Sequence, residues 1–366
     1  MSTRNDERRA TVAPRRITEG ATIHHHFYFT NSSWSSDSRT LYFVGYDGPN
    51  PNLFRADLST GGPPRIERLT DRVDINPFSA AADDQDEYIY FTGGRSIFAL
   101  SLKTGETEEI AHFPQGLPSN CAVSSDGRWV ATSVRGKGRF QLVAVDRRTG
   151  AINTVVEADR AIGHVQFSRA EPYRILYSGP PEKRIWLVNL DGTGDRLLYD
   201  QDPAAWIVHE SWLGSDKVIF THWPYALMGV DIGTGQVWEV ARTNAWHACA
   251  DRSGSFVVFD TVHPDRGLQL LDVERGTWST LCEPRSSNLG HQWRGTTPAP
   301  NAPADPSIFR DVLPGSPPPA LDMSESTYGP QWTHPHPAFS PDGRYVVYTS
   351  DVEGFPHVYV VEVPSP

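Results

Sequence analysis

Short apolar runs separated by turn residues recur along the whole chain. A typical unit reads Trp129-Val-Ala-Thr, then Leu142-Val-Ala-Val, then a turn at Arg148-Thr-Gly. An apolar residue precedes each unit, followed in the most complete copies by Ser, any residue, Asp and Gly. The copies begin at Trp34, Phe78, Val123, Phe167, Trp212, Ala250 and Phe339, which lie 38 to 45 residues apart except for a last interval of 89. Three or four short strands in each period are typical of propeller blades, so the pattern predicts an all-β, seven-bladed β-propeller.

The last blade lacks one strand in this pattern. After Phe339 only two apolar runs remain, Tyr345–Thr349 and His357–Val363. The N-terminal segment 11–22 is predicted to supply the outer strand and close the ring, because a bare sheet edge favours aggregation. We therefore expect a single propeller domain over residues 1–366.

One long segment interrupts the rhythm. Residues 284–330 contain ten prolines among 47 residues and no pair of alternating strands. A loop of this length is usually functional or disordered. We interpret it as an insertion before the last blade rather than as an eighth blade, placed so that it could lie over the mouth of the propeller channel as a lid.

Histidines recur at one position of the repeat. The residues three places before the blade starts are Asn31, Ile75, Asn120, His164, His209, His247 and His336. Since the innermost strand of each blade faces the channel of a propeller, these side chains are predicted to ring one mouth of it. The alternative is that they only satisfy neighbouring backbone groups. The run His24–His26 lies in an apolar segment, and one or two of its members are also expected to face the channel.

Potential metal ligands cluster around the last of these histidines. Gln331, His334 and His336 lie within six residues, and His247 of the preceding blade is a candidate third imidazole. A His-x-His pair places both rings on one side of an extended chain, and imidazole suits manganese, iron, zinc and similar ions. All four ligands are neutral, so a divalent ion would keep its charge and favour a substrate that carries a carboxylate. The alternative is a set of hydrogen-bonded histidines without a metal.

Charge and composition limit the classes of binding partner. The net charge is −11 and no basic stripe is present, which argues against nucleic acid. No apolar run approaches the roughly 20 residues that span a bilayer. The charged N-terminus lacks the apolar core of a secretory signal, and three scattered cysteines do not suggest a disulfide framework, so a cytoplasmic location is expected. The sequence carries no signal for an oligomeric state.

The chain resembles the oligogalacturonate lyases, which are seven-bladed propellers that degrade pectin. The resemblance runs from His25-His26-Phe-Tyr28-Phe-Thr-Asn31 to the segment around His336, and its most specific part is Gln331-x-x-His334-x-His336. It implies that this segment, together with His247, holds Mn²⁺. It also implies a small acidic oligosaccharide as the substrate.

The resemblance further implies a β-elimination from a uronate that leaves a 4,5-unsaturated end. His209, in His209-Glu-Ser-Trp, matches the position of the catalytic base, and Arg184, in Arg184-Ile-Trp, matches a catalytic arginine. From the sequence alone, Arg184 at the start of a strand would more simply face solvent. His164 and Tyr28 are further candidates for contacts with substrate hydroxyl groups.

One segment departs from the family. Where those lyases have a His-Glu-Gly-Pro-Trp segment, this chain has Tyr177-Ser-Gly-Pro-Pro-Glu182. A lyase for a different uronide is therefore a second hypothesis. Two others are a non-catalytic binding propeller of the TolB type, whose Ser-Pro-Asp-Gly repeats look similar, and a metal-dependent propeller hydrolase or lactonase.

Overall fold

The structure, a computed structural model, describes residues 12–60, 62–289 and 331–364. In these ranges, 28 strands form seven four-stranded antiparallel sheets, which confirms the predicted seven-bladed propeller. The 3-10 helix Gln331–Thr333 precedes the last blade. No helix in the described ranges has the length and apolar character needed to cross a membrane.

Each blade consists of strands that follow one another in the chain, apart from the last blade. Blades one and two contain β2 (His24–His26), β3 (Thr40–Tyr46), β4 (Pro51–Asp57) and β5 (Arg65–Arg68), then β6 (Ala81–Ala82), β7 (Tyr88–Gly93), β8 (Ser96–Ser101) and β9 (Thr107–His112). Blades three and four contain β10 (Leu117–Val123), β11 (Trp129–Arg135), β12 (Phe140–Asp146) and β13 (Ile152–Ala158), then β14 (Gly163–Phe167), β15 (Arg174–Ser178), β16 (Ile185–Asn189) and β17 (Arg196–Leu197).

The later blades repeat this order. Blades five and six contain β18 (Trp206–Leu213), β19 (Lys217–Trp223), β20 (Ala226–Asp231) and β21 (Val237–Ala241), then β22 (Ala245–Ala250), β23 (Phe256–Thr261), β24 (Leu268–Asp272) and β25 (Thr277–Cys282). Blade seven contains β26 (Ala338–Phe339), β27 (Tyr345–Ser350), β28 (His357–Glu362) and the N-terminal β1 (Arg15–Arg16).

The described residues divide into two compact units. One comprises His26–Tyr199 and holds blades two to four entirely; the other combines Met1–His25 with Asp200–Pro366 and holds blades five to seven. That the chain is a single domain stays a prediction. The proposed lid at 284–330 lies outside the described residues from position 290 onward.

The N-terminal segment completes blade seven, as predicted. Strand β1 pairs antiparallel with β28, with Arg15 opposite Val360 and Arg16 opposite Tyr359. The backbone continues this pairing, because the N–H of Ile17 donates to the carbonyl of Val358 at 2.8 Å. The outer edge of β28 is therefore covered.

The repeated Ser-x-Asp-Gly motif builds the turn between the first two strands of a blade. In blade three, Ser124 Oγ donates to Asp126 Oδ1 at 2.6 Å and accepts the N–H of Trp129 at 2.9 Å. Gly127 has φ +71°, a left-handed conformation that glycine adopts without strain. Blade seven repeats the arrangement at Ser340 and Asp342. In these two blades the motif thus fixes where the second strand begins.

The core lies between neighbouring blades. One cluster joins blades three and four, where Leu142, Val165 and Tyr177 have no exposed surface. Because both faces of the middle strands are covered, their residues are buried continuously rather than alternately, as at residues 130–134 of β11. Each such fully buried aliphatic side chain contributes about 1.5–3 kcal/mol to stability.

Innermost strands carry a bulge at the position of the predicted ring. In β18 the register shifts between Val208 and Ser211, and β10, β14 and β22 shift at the equivalent place. His164 and His209 therefore lie inside these strands and not before them, with φ of +46° and +54°. Bulges re-aim side chains and occur often beside active sites. A left-handed conformation at a non-glycine residue is also typical of functional sites.

Candidate metal centre and its surroundings

Three of the predicted ligands come together. The side chains of His247, His334 and His336 are buried, and one nitrogen of each lies within 4.8 Å of the others. The centroid of the His247 ring is 3.9 Å from that of His336 and 5.8 Å from that of His334. These three imidazoles were predicted from their spacing, and the fold places them in one cluster.

The backbone around the cluster is held by hydrogen bonds on both sides. The N–H of His334 donates to the carbonyl of Gln331 across the 3-10 helix at 3.1 Å. Pro335 directly follows His334 in the chain, and its carbonyl accepts the N–H of Thr349 from β27 at 3.0 Å. His336 then adopts φ +48° before β26 begins. The His-x-His segment is therefore fixed between a helical turn and a strand.

A buried carboxylate, which the sequence reasoning did not assign to the site, orients His247. Asp260 Oδ2 accepts a hydrogen bond from His247 Nδ1 at 2.8 Å, and both side chains are 1% exposed. With the hydrogen on Nδ1, the lone pair of the ring lies on Nε2, the nitrogen then suited to a metal. The signal in the sequence was an aspartate directly after the apolar run Phe256-Val-Val-Phe of β23.

Burial and hydrogen bonding shift the pKa of the Asp260 carboxyl group in opposite directions. Burial raises the pKa of Asp260 to about 7, while the backbone N–H groups of His247 and His336 favour the charged form. A cation bound at the three histidines would favour the carboxylate further, because a nearby opposite charge stabilises the ionised form. Asp260 thus contacts two of the candidate ligands, His247 through its ring and backbone and His336 through its backbone.

A backbone carbonyl performs the same task for His334. The carbonyl of Leu289 accepts from His334 Nε2 at 3.3 Å, which puts the lone pair of that ring on Nδ1. Leu289 is itself held by its N–H to Thr333 Oγ1 at 3.2 Å, and the N–H of Asn288 donates to the carbonyl of Thr333 at 3.1 Å. Residues 288–289 therefore support the 3-10 helix Gln331–Thr333.

These residues fit a divalent metal ion. Three buried imidazoles converge, and the partners of two of them fix which nitrogen of the neutral ring carries the lone pair. Nitrogen donors of this kind suit manganese, iron and zinc. Gln331, the fourth predicted ligand, lies one helical turn before His334 with a partly exposed side chain, and its role as a ligand stays a prediction.

His209 lies beside the cluster but is held differently. Its ring centroid is 4.2 Å from that of His247, and its Nδ1 donates to the carbonyl of Trp246 at 2.8 Å. A carbonyl can only accept, so the lone pair of the neutral ring lies on Nε2. The Trp246 ring contacts the imidazole edge to face at 4.4 Å. The side chain is 7% exposed.

The other three predicted site residues form a second group, in the unit His26–Tyr199. His164 Nδ1 accepts a hydrogen bond from Arg184 Nη2 at 3.1 Å, and the Tyr28 ring meets the His164 ring edge to face at 5.4 Å. All three side chains are partly buried. Arg184 therefore packs against His164 and is only partly exposed, whereas the sequence alone favoured a solvent-facing side chain.

The remaining positions of the predicted ring have structural roles. Asn31 Nδ2 donates to the carbonyls of Ala80 and Cys121, both at 3.0 Å, and so links three blades. Asn120 Nδ2 reaches the carbonyl of Val165 at 3.5 Å. Ile75 is 1% exposed within the core.

The N-terminal histidine run is largely buried. His25 stacks on Trp332 with 6.5 Å between ring centroids, and His24 stacks on His357 at 5.7 Å. His26 is 3% exposed. Trp332 follows Gln331 in the 3-10 helix, so this run packs against the segment that carries the candidate ligands.

The segment that departs from the family forms a tight hairpin end. Gly179 N–H donates to the carbonyl of Arg184 at 2.6 Å, and Trp186 Nε1 donates to that of Lys183 at 2.7 Å. A Cβ atom on Gly179 would lie 2.4 Å from the Trp186 ring, so only glycine fits there. Glu182 is exposed at the tip. Residues 177–182 contain neither a histidine nor a tryptophan.

The sequence is similar to that of a known lyase at low identity. No family model matches the chain. It is 22% identical to an oligogalacturonate lyase of Dickeya dadantii over 96% of this chain and 93% of the relative.

Solved structures share the fold. An oligogalacturonate lyase from Vibrio parahaemolyticus superposes with a TM-score of 0.77 at 20% identity, covering 97% of this chain and 94% of its own. An oligogalacturonate lyase in complex with manganese also gives 0.77, at 19% identity, covering 100% and 99% of the two chains. The chain is therefore similar in sequence to an oligogalacturonate lyase over nearly its whole length, and it shares the propeller fold of such lyases.

Proposed function

We propose that this protein is a metal-dependent lyase that cleaves short uronate oligomers by β-elimination, with oligogalacturonate as the first candidate substrate. The observation that carries the proposal is the pairing of a buried three-histidine cluster with His209. The imidazole of His209 is oriented by a backbone carbonyl so that its lone pair lies on Nε2. The similarity to oligogalacturonate lyases supports the choice of substrate.

The metal would be held by His247, His334 and His336, with Gln331 as a fourth ligand. Mn²⁺ is the first candidate, since a lyase of this fold is known in complex with manganese. When bound, a divalent cation supplies Lewis acidity, which neutralises the carboxylate of a uronate and makes the adjacent C5 proton easier to remove. Neutral protein ligands leave that positive charge available to an anionic substrate.

His209 is the proposed base. Nε2 removes the C5 proton, the electron pair forms the C4–C5 double bond, and the C4–O bond to the leaving sugar breaks. The leaving oxygen takes a proton from water. Because the Trp246 carbonyl fixes Nδ1–H, the ring does not need to change tautomer before it accepts the proton at Nε2.

Arg184, His164 and Tyr28 are proposed to bind the substrate. The guanidinium of Arg184 can contact developing negative charge through two N–H groups. His164 accepts from Arg184 at Nδ1, which leaves the hydrogen of the neutral ring on Nε2 as a donor for a sugar oxygen. Tyr28 packs on His164 and offers its hydroxyl group as a further contact.

The direct experiment is to incubate the purified protein with manganese and short galacturonate oligomers, and to follow the ultraviolet absorbance of the new C4–C5 double bond. We expect a rise in absorbance that chelation abolishes and manganese restores. Absence of a rise with all uronates, together with no metal binding at the histidines, would contradict the proposal and favour a binding propeller.

A specific observation favours a second substrate. The hairpin end at 178–182 is short, and its tip bears Glu182 rather than a histidine and a tryptophan. A different uronide would need different contacts there while the elimination chemistry stays the same. Oligomers of glucuronate, mannuronate and guluronate in the same absorbance assay distinguish the two substrates, because the preferred one gives the highest kcat/KM.

A further inference from the structure

One peptide unit lies between the proposed base and a proposed metal ligand. The carbonyl of Trp246 accepts from His209 Nδ1 at 2.8 Å. The N–H of the same peptide, which belongs to His247, donates to Asp260 Oδ1 at 2.6 Å. Asp260 Oδ2 then accepts from His247 Nδ1 at 2.8 Å. These contacts form a continuous chain of hydrogen bonds from the His209 ring to the His247 ring.

We propose that Asp260 is a positioning residue for both histidines: one oxygen fixes the tautomer of His247, and the other acts on His209 through the Trp246–His247 peptide. The role at His209 rests on the proposed function, whereas the role at His247 stands on the geometry of the three-histidine cluster alone.

The first part follows from which atoms can donate. Asp260 Oδ2 takes the hydrogen of His247 Nδ1, so the ring presents Nε2 to a metal and gains basicity from the carboxylate. Asp260 also accepts the backbone N–H of His336, a second candidate ligand on the neighbouring blade. A single buried carboxylate therefore orients ligand-bearing segments of blades six and seven.

The second part follows from polarisation. Hydrogen bonds in series strengthen one another when they are shielded from water. The carboxylate pulls on the N–H of the Trp246–His247 peptide, and the carbonyl at the other side of that peptide becomes a better acceptor. It then holds His209 Nδ1–H more firmly and increases the electron density at Nε2. The exposed fraction of the Asp260 side chain is 1%, so water does not screen this effect.

The proposal predicts a tautomer that a free imidazole does not prefer. In metal-free wild-type protein labelled with ¹⁵N-histidine, above the pH at which the rings are protonated, long-range ¹H–¹⁵N spectra should show His209 and His247 with the hydrogen on Nδ1. Assignment comes from the His209→Gln and His247→Gln spectra. A hydrogen on Nε2 of His247 in the wild type would overturn the proposal, and this readout needs no variant at Asp260 and no substrate.

The isosteric variant Asp260→Asn tests the cause. An amide NH₂ at the place of Oδ2 donates to Nδ1, so His247 must carry its hydrogen on Nε2, which opposes metal binding. We expect manganese affinity, measured by titration calorimetry, to fall about 10- to 100-fold, and kcat at saturating manganese to fall about tenfold.

Thr221→Val is the matched control. It removes the second donor to the Trp246 carbonyl, a hydroxyl at 2.9 Å, and leaves Asp260 in place. We expect wild-type manganese affinity and an unchanged His247 tautomer. Equal affinities of Asp260→Asn and wild type would overturn the positioning role. If the wild type cleaves no uronate, the tautomers and affinities still decide the role at His247, so the two proposals fail separately.

Discussion

Asn31 and His247 occupy the same place in the repeat of their blades, yet they serve different purposes. Asn31 uses its amide group to donate to two backbone carbonyls, and this links blades one, two and three. His247 donates from Nδ1 to Asp260, which places the lone pair of the neutral ring on Nε2. The difference shows two uses of one position. The amide of Asn31 donates to backbone carbonyls and so stabilises the fold, whereas the ring of His247 is oriented through Nδ1 so that the lone pair on Nε2 is suited to a metal.

The largest loss of activity is expected from substituting a histidine of the three-histidine cluster. His336→Ala removes one of the three imidazoles proposed to bind the metal, so metal content should fall and turnover should drop by about a thousandfold or more, since Lewis acidity contributes several kcal/mol. Metal content by atomic emission and kcat/KM on galacturonate oligomers measure both. His112→Ala, an exposed histidine, is the control. Retained metal in His336→Ala would show that the cluster is not the binding site.

His209 sharpens the comparison, because it has the same offset as His247 but a carbonyl partner. We expect His209→Ala to lower kcat about 10²- to 10⁴-fold, the usual contribution of a general base, while metal content stays at the wild-type level. Metal analysis and steady-state rates on the same preparation separate the two effects. Loss of metal in this variant would mean that base and ligand are interchanged.

Arg184 tests the second group of site residues. Arg184→Ala should lower kcat about 10²- to 10³-fold, as the loss of a donor to developing charge usually does. Lys183→Ala, its exposed neighbour, should keep the wild-type rate. Wild-type kinetics in Arg184→Ala would assign this residue to packing against His164 alone.

The smallest effect on chemistry is expected at Asn31. Asn31→Ala leaves the buried carbonyls of Ala80 and Cys121 without this donor, which should cost about 1–3 kcal/mol of unfolding free energy. Thermal or urea unfolding gives that loss, and metal content should not change. An Asn31→Ala variant with wild-type stability and reduced metal binding would contradict the assignment of a purely structural role to Asn31.

The fold followed closely from sequence because its signals are local and repeated. Each Ser-x-Asp-Gly turn contains its own hydrogen bonds, as Ser124 and Asp126 show, so one blade can be recognised without the others. The closing strand was also predictable, since a missing strand at the C-terminus implied one from the N-terminus. The bulges in the innermost strands could not be predicted, because a register shift depends on how two strands pair and has no characteristic residue pattern in the sequence.

Sequence alone determined which residue types recur at the site and at what spacing: His164, His209, His247 and His336 at one offset, with Gln331 and His334 beside the last. Only the tertiary structure decided what each one does. Asp260 lies thirteen residues from His247 and belongs to another strand, so its hydrogen bond exists only once β22 and β23 pair. The same holds for the Trp246 carbonyl that orients His209. A side chain's identity is encoded by its codon, whereas the tautomer of a histidine is set by partners that folding brings within about 3 Å.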